Sequence, residues 1–195
     1  MISWINFIIL VLSTIGVLYF YVISVGPAAL EQKIGQIAYQ RCARYRWIAG
    51  SLMGVTTANY VIYTFYPLPI GLPETFPWSY WVSAIIAMLI AIPSGYLMLR
   101  GVKDAGEETM KPKKEHTLYC GIYEKIRHPQ ALGEMPLYWV FAFLCNSPFL
   151  VLYSFIWIPV FYWMCKAEER DLLLRYGVAY QEYMARTGMY LPKRV

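Results

Sequence analysis

At 195 residues the chain has room for one domain, and with 58% hydrophobic against 15% charged residues it is too apolar for an ordinary soluble one. Its net charge of +5 would suit nucleic acid, but the placement of the charge points elsewhere. All 17 Lys and Arg residues fall between Lys33 and Arg46, between Arg100 and Arg127, or between Lys166 and Arg194, while the segments Pro67–Pro77 and Asn146–Pro148 carry none. That asymmetry is the positive-inside pattern, which places the N-terminus outside a cell membrane and the basic clusters and C-terminus in the cytoplasm. Four cysteines without CxxC or Cys/His spacing give no metal or disulfide signal.

Met1 to Leu30 lacks Lys, Arg, Asp and Glu, and is too long for a signal-peptide core. It predicts a retained first helix, bent or frayed at Gly26-Pro27. Gln32 to Arg46 predicts a cytoplasmic connector with a short interfacial helix. Trp47 to about Tyr66 predicts a second span. Pro67, Pro69, Gly71, Pro73 and Pro77 mark an outer loop, and Trp78 to Leu99 a third span carrying Pro93. Arg100 to Glu115 reads as a polar loop. The uncharged run Met135 to Cys165 would be about 46 Å long as one helix, too long for a bilayer core of about 30 Å. Asn146-Ser147-Pro148 is a turn signal near its middle, so the run predicts a hairpin with limbs Pro129–Cys145 and Phe149–Cys165. The tail is amphipathic through Leu172, Leu173, Tyr176, Tyr180 and Tyr183, with Gly177 a break. The expected fold is all-α: a polytopic membrane bundle of about five spans forming one domain, residues 1–100 supplying three spans and 101–195 the ligand-binding half.

The chemistry concentrates at the two ends of the hairpin. Proline suits a first helical position, so Pro129 predicts a helix start whose free amides at Gln130, Ala131 and Leu132 would favour an anion. Gly133 allows a ligand or another backbone to come close. The far limb returns to the same membrane face at Glu168 and Glu169. Arg127, His128, the amides and two carboxylates would then line one pocket. Such a pocket suits a zwitterion such as S-adenosyl-L-methionine, its carboxylate on the amides and its ammonium on a glutamate. Juxtamembrane anchoring by Arg127-His128 and a solvated helix start at Glu168-Glu169 are the alternatives. No GxGxxG, P-loop, HExxH or GxSxG occurs, so a Rossmann-type site is excluded.

In order, His116-Thr117-Leu118, Gly121-x-Tyr123, Arg127-His128-Pro129, Gly133, Glu168-Glu169, Tyr176-Gly177, Tyr180, Tyr183 and Leu191-Pro192 flank the hairpin. Over roughly His116 to Pro192 the chain resembles the isoprenylcysteine carboxyl methyltransferase family, related to phospholipid methyltransferases. The resemblance implies a membrane enzyme that uses S-adenosyl-L-methionine and releases S-adenosyl-L-homocysteine. It implies cofactor contacts from His116, Thr117, Leu118, Tyr123, His128, Pro129, Gln130, Ala131 and Glu168, with Lys113 in a loop closing over the cofactor; the pocket reading adds Leu132 and Glu169. Glu168, Arg127 and His128 would be the catalytic set, facing the cytoplasm. The implied reaction is carboxyl O-methylation of a prenylcysteine-like lipophile. Expected partners are membrane lipids and the acceptor, with no nucleic acid, and the protein is expected as a monomer. Phospholipid amine methylation and an NADPH-dependent sterol- or lipid-type reductase are the alternatives. The chain departs from the family pattern at Ala131, often Tyr, and at Met164, where prenylcysteine enzymes place a substrate-binding Arg.

Overall fold

In the computed structural model, which describes residues 1–112 and 120–193, the first apolar run does break at Gly26. Helix α1 spans Ile2–Ser24 and α2 spans Pro27–Ile34. Pro27 occupies the first position of α2, where no N–H is needed. The other free amides of α2 are capped from a distance: Asp171 Oδ1 accepts from Ala28 N at 2.9 Å and Ala29 N at 3.0 Å. The expected connector is not one. After a turn at Gly35-Gln36 the chain runs as a single helix α3, Ile37–Phe65, so Arg41, Arg44 and Arg46 are helical. Nothing in that stretch breaks a helix, and its polar residues only determine what the helix faces.

Helix α4 spans Tyr80–Ala105 with Pro93 inside it, extending beyond Leu99 into the expected loop. A 3-10 turn, Gly106–Thr109, ends it. A second 3-10 turn, Gly121–Glu124, leads to α5, Pro129–Glu134, then α6, Leu137–Leu144. The hairpin turn falls where expected. Asn146 takes a positive φ of 51°, Ser147 caps the next helix by accepting from Leu150 N, and Pro148 begins it. Helices α7, Pro148–Ser154, and α8, Trp157–Tyr176, follow. Each limb is broken once, near Pro136 and four residues before Pro159, because proline removes one helical hydrogen bond and crowds the carbonyl four residues back. Helix α8 continues past Cys165 to Tyr176, and Gly177 at φ 55° separates it from α9, Val178–Arg186.

Among the described residues, three stretches are long and apolar enough to cross a membrane: Ile2–Ser24, Tyr80–Thr109 and Pro148–Tyr176. Ile8, Leu12, Ile15 and Tyr19 on α1, and Leu89, Ile92, Tyr96 and Leu99 on α4, are exposed. Apolar faces of that extent are covered by lipid rather than water. Inside, α1 packs along α3, and α4 along α5 and α6. The core centres on Trp157, stacked on Tyr138 with ring centroids 3.7 Å apart. Polar side chains join the helices: Ser154 to Tyr60 at 3.1 Å, Thr56 to Ser13 at 2.9 Å, Thr14 to Tyr153 at 2.9 Å. Met164 lies fully within this core.

Two features fix the start of α5. Gly133 lies against α4 so closely that a Cβ there would come within 2.4 Å of Met98 N and 2.5 Å of Ser94 O. The segment before it pairs with the C-terminal tail: Ile126 and Gly188 form a parallel bridge, Arg127 N donates to Gly188 O at 2.9 Å, and His128 N to Met189 O at 3.2 Å.

Candidate active site

The hairpin brings its two ends together at a buried charge cluster. Arg127 Nε donates to Glu169 Oε1 at 2.7 Å, and its Nη1 to the carbonyl of Thr187. His128 lies between the glutamates, Nδ1 at 3.4 Å from Glu168 Oε2 and Nε2 at 3.3 Å from Glu169 Oε1. Lys166 Nζ donates to Glu169 Oε2 at 2.9 Å. Both ring nitrogens of His128 therefore face acceptors, the arrangement of an imidazolium donating twice. Burial alone pushes its pKa down, but Cys165, Glu168 and Glu169 outweigh that and raise it well above the ordinary value.

The two glutamates differ in what remains free. Glu169 accepts from Arg127, His128 and Lys166, and its side chain is only 3% exposed. Among the described residues Glu168 has His128 alone as an ion-pair partner, and it is 26% exposed. Glu168 lines a cleft with Arg127, His128, Gln130 and Ala131; Glu169 stands behind it. Tyr123, Tyr180 and Tyr183 form an aromatic wall. Burial raises all three phenols, Tyr183 to about 12, so they remain neutral donors. Tyr183 Oη donates to Tyr123 O at 2.6 Å, and Gln130 Nε2 donates both to Tyr123 Oη and to Thr109 Oγ1 at 3.0 Å.

The cleft also has a wall from the first half of the chain. Tyr21 from α1 and Arg46 from α3 line it, with Ala105, Glu108 and Thr109 from the end of α4. Residues 101–195 thus do not build the site alone. Sequence reading placed Arg46 in a connector. The available signal was its position as the last charge before an uncharged run, since a cation carried into an apolar helix needs a buried partner or a ligand.

Other expected site residues lie elsewhere. Pro129 is buried and, with the Gln130 amide, seats on Gly101 of α4, where a Cβ would lie 3.0 Å from Gln130 N. The Gln130 amide therefore faces α4, and the Leu132 amide donates to His128 O at 3.0 Å. Leu132 faces a separate groove with Tyr96, Arg100, Lys125 and Tyr190. Lys113, His116, Thr117 and Leu118 lie outside the described residues.

The cleft is narrow, with a cavity volume of about 50 Å³, room for a few waters. A nucleoside therefore needs its walls to part. The donor set nonetheless fits an amino-acid zwitterion carrying an aromatic base: a partly exposed carboxylate, a guanidinium and an aromatic wall. Among the described residues no cluster of His, Cys, Asp and Glu has the makings of a metal site.

A helical membrane scaffold with this cleft at the hairpin ends defines a class of membrane-embedded enzymes, and residues 78–178 match the phospholipid methyltransferase family model. The chain belongs to the phospholipid methyltransferase family. It is also similar to methanethiol S-methyltransferase 2 of Bradyrhizobium diazoefficiens, at 26% identity over 106 residues, which is 54% of this chain and 37% of that protein. The aligned stretch spans little more than a third of the length of that relative. No solved structure matches. Tyr21, Arg46, Tyr180 and Tyr183 all lie outside the family-matched residues.

Proposed function

We propose that this protein transfers a methyl group from S-adenosyl-L-methionine to a lipophilic acceptor, releasing S-adenosyl-L-homocysteine. The observation that carries the reading is the meeting of Glu168, from the far end of the hairpin, with His128 at its start, in one cleft walled by tyrosines. When bound, the cofactor supplies a methyl group on a sulfonium, already activated for in-line displacement. The chain's task is to hold, orient and keep water out. Glu168 takes the ammonium, His128 fixes the Glu168 carboxylate, and the tyrosines cover the adenosine.

The acceptor determines whether a base is needed. A carboxylate attacks as it stands; an amine or thiol must lose a proton. As an imidazolium, His128 has no lone pair with which to take it, and Glu168 is committed to the ammonium, so such an acceptor would enter already deprotonated. The prenylcysteine carboxylate implied by the family resemblance would want a cation at position 164, where Met164 is packed in the core. The name of the Bradyrhizobium relative favours a second reading, a thiol acceptor. The NADPH-reductase alternative is less suited, because carboxylates repel phosphates. The basic clusters support a multi-pass protein of the cell membrane with its cleft toward the cytoplasm, acting as a monomer without nucleic acid.

The test is transfer of labelled methyl from S-adenosyl-L-methionine to a lipid extract, to prenylcysteine and to short-chain thiols. Base-labile label marks an ester, volatile label a small thioether, and stable lipid label an amine. No transfer to any acceptor, with stabilisation by NADPH alone, overturns the reading.

A further inference from the structure

Most of the cations around the cleft have a carboxylate partner. Arg127 is neutralised by Glu169, His128 lies between Glu168 and Glu169, and Arg175 Nη1 pairs with Glu108 Oε1 at 2.9 Å. Arg46 has no carboxylate within ion-pair distance among the described residues, although it is 91% buried. Its hydrogen bonds run to neutral carbonyls: Nη1 to Glu108 O at 2.9 Å and Thr109 O at 3.0 Å, and Nη2 to Ser24 O at 3.5 Å. Its Nε has no hydrogen-bond partner among the described residues. The Tyr21 ring lies 6.0 Å from its Cζ, a weak cation–π contact at best. Taking a guanidinium out of water without a counter-charge is costly, and a buried cation that persists beside a cleft marks the place for an anion.

Glu168 complements Arg46. It lines the same cleft from α8, is the more exposed of the two glutamates, and has lone pairs beyond its contact with His128. An uncompensated cation on α3 and a partly exposed carboxylate on α8 thus face one cleft.

We propose that Arg46 binds the carboxylate of the methyl donor while Glu168 binds its ammonium, so that the first half of the chain supplies one pole of a two-point clamp on the amino-acid end of the ligand. This rests on the cofactor reading above and moves the carboxylate from the head of α5, where the Gln130 amide seats against Gly101 and the Leu132 amide is held by His128 O, to Arg46. The clamp also explains how helices outside the family-matched stretch contribute to its site. Because Arg46 holds the Glu108 and Thr109 carbonyls, and Thr109 holds Gln130, ligand on Arg46 is coupled to the wall carrying Tyr123.

The experiment compares two ligands by titration of the full-length protein in detergent: S-adenosyl-L-homocysteine and its decarboxylated analogue, the same thioether ending in a propylamine. Wild type is expected to bind the carboxylate-bearing ligand at least about tenfold more tightly, the effect of one charge-assisted contact. Arg46→Gln is expected to lose that factor for S-adenosyl-L-homocysteine and to change by less than about twofold for the analogue. Arg46→Lys, which keeps the charge, should restore part of the preference. Equal losses for both ligands make Arg46 only a strut and overturn the assignment. Equal affinities in wild type overturn it even if the variants do not fold. Failure of wild type to bind either ligand removes the cofactor reading itself, a different outcome from either.

Discussion

Arg127 and Glu169 meet at 2.7 Å across 42 positions of sequence, both side chains buried, and their contact closes the base of the helical hairpin. Glu169 also receives His128 and Lys166, so one carboxylate compensates three cationic groups. Removing it leaves Arg127 and His128 short of a counter-charge in a buried site, a loss of about 3–5 kcal/mol when one partner of such a pair is truncated. Glu169→Ala should therefore lower the thermal midpoint in detergent sharply. Glu168→Ala should lower it much less and instead weaken S-adenosyl-L-homocysteine binding. Glu124, outside the cleft wall, serves as the binding control. A ligand affinity equally reduced in Glu168→Ala and Glu124→Ala would contradict the placement of Glu168 in the cleft.

The His128 contacts predict a pH dependence with a definite sign. Its folded pKa is raised above the ordinary 6.5 because Cys165, Glu168 and Glu169 outweigh burial. A group with a raised folded pKa contributes its full stability below its unfolded value and loses it as pH rises through the folded one. Thermal midpoints should thus fall as pH rises above neutrality, and His128→Gln should flatten that limb. A wild-type profile that climbs through the same range would refute the imidazolium.

Gly133 distinguishes a packing role from a ligand role. A methyl group there would press into Met98 N and Ser94 O of α4, and overpacking of this kind costs about 1–3 kcal/mol. Gly133→Ala should destabilise the protein and displace α5. Gly95→Ala, next to Ser94 on α4 but with open space at its Cβ, should be neutral or slightly stabilising. Thermal unfolding of the two variants side by side decides the matter.

These residues also show what the sequence could and could not convey. The all-helical membrane fold, the break at Gly26 and the turn at Asn146-Ser147-Pro148 follow from local chemistry, and the hairpin that pairs Arg127-His128 with Glu168-Glu169 follows from run length. Boundaries failed where polar residues interrupt a helix without ending it, as along Ile37–Phe65 and beyond Leu99. The breaks within the limbs were legible in Pro136 and Pro159 but were masked by the hydrophobic pattern. Non-local contacts left no local trace: the Asp171 cap on α2, the pairing of Ile126 with Gly188, and the arrival of Tyr21 and Arg46 at the cleft. Nor does a pair of adjacent glutamates reveal which one is saturated by neighbours.

The tail pairing gives the last prediction. Gly188 sits in a turn so tight that a Cβ would lie 1.7 Å from Leu191 O. The turn holds Gly188 O and Met189 O against the amides of Arg127 and His128, and Thr187 O against the Arg127 guanidinium. Backbone atoms cannot yield as a flexible side chain would, so Gly188→Ala must open the turn and release the strap. Arg127 then loses two of its anchors while Glu169 remains. Gly188→Ala should therefore weaken S-adenosyl-L-homocysteine binding by about tenfold or more, as displacement of a positioned site does. The cost to the thermal midpoint should be smaller than that of Glu169→Ala. If the variant binds ligand as wild type does, the tail does not position the site, and the orientation of Arg127 and His128 rests on their glutamates alone.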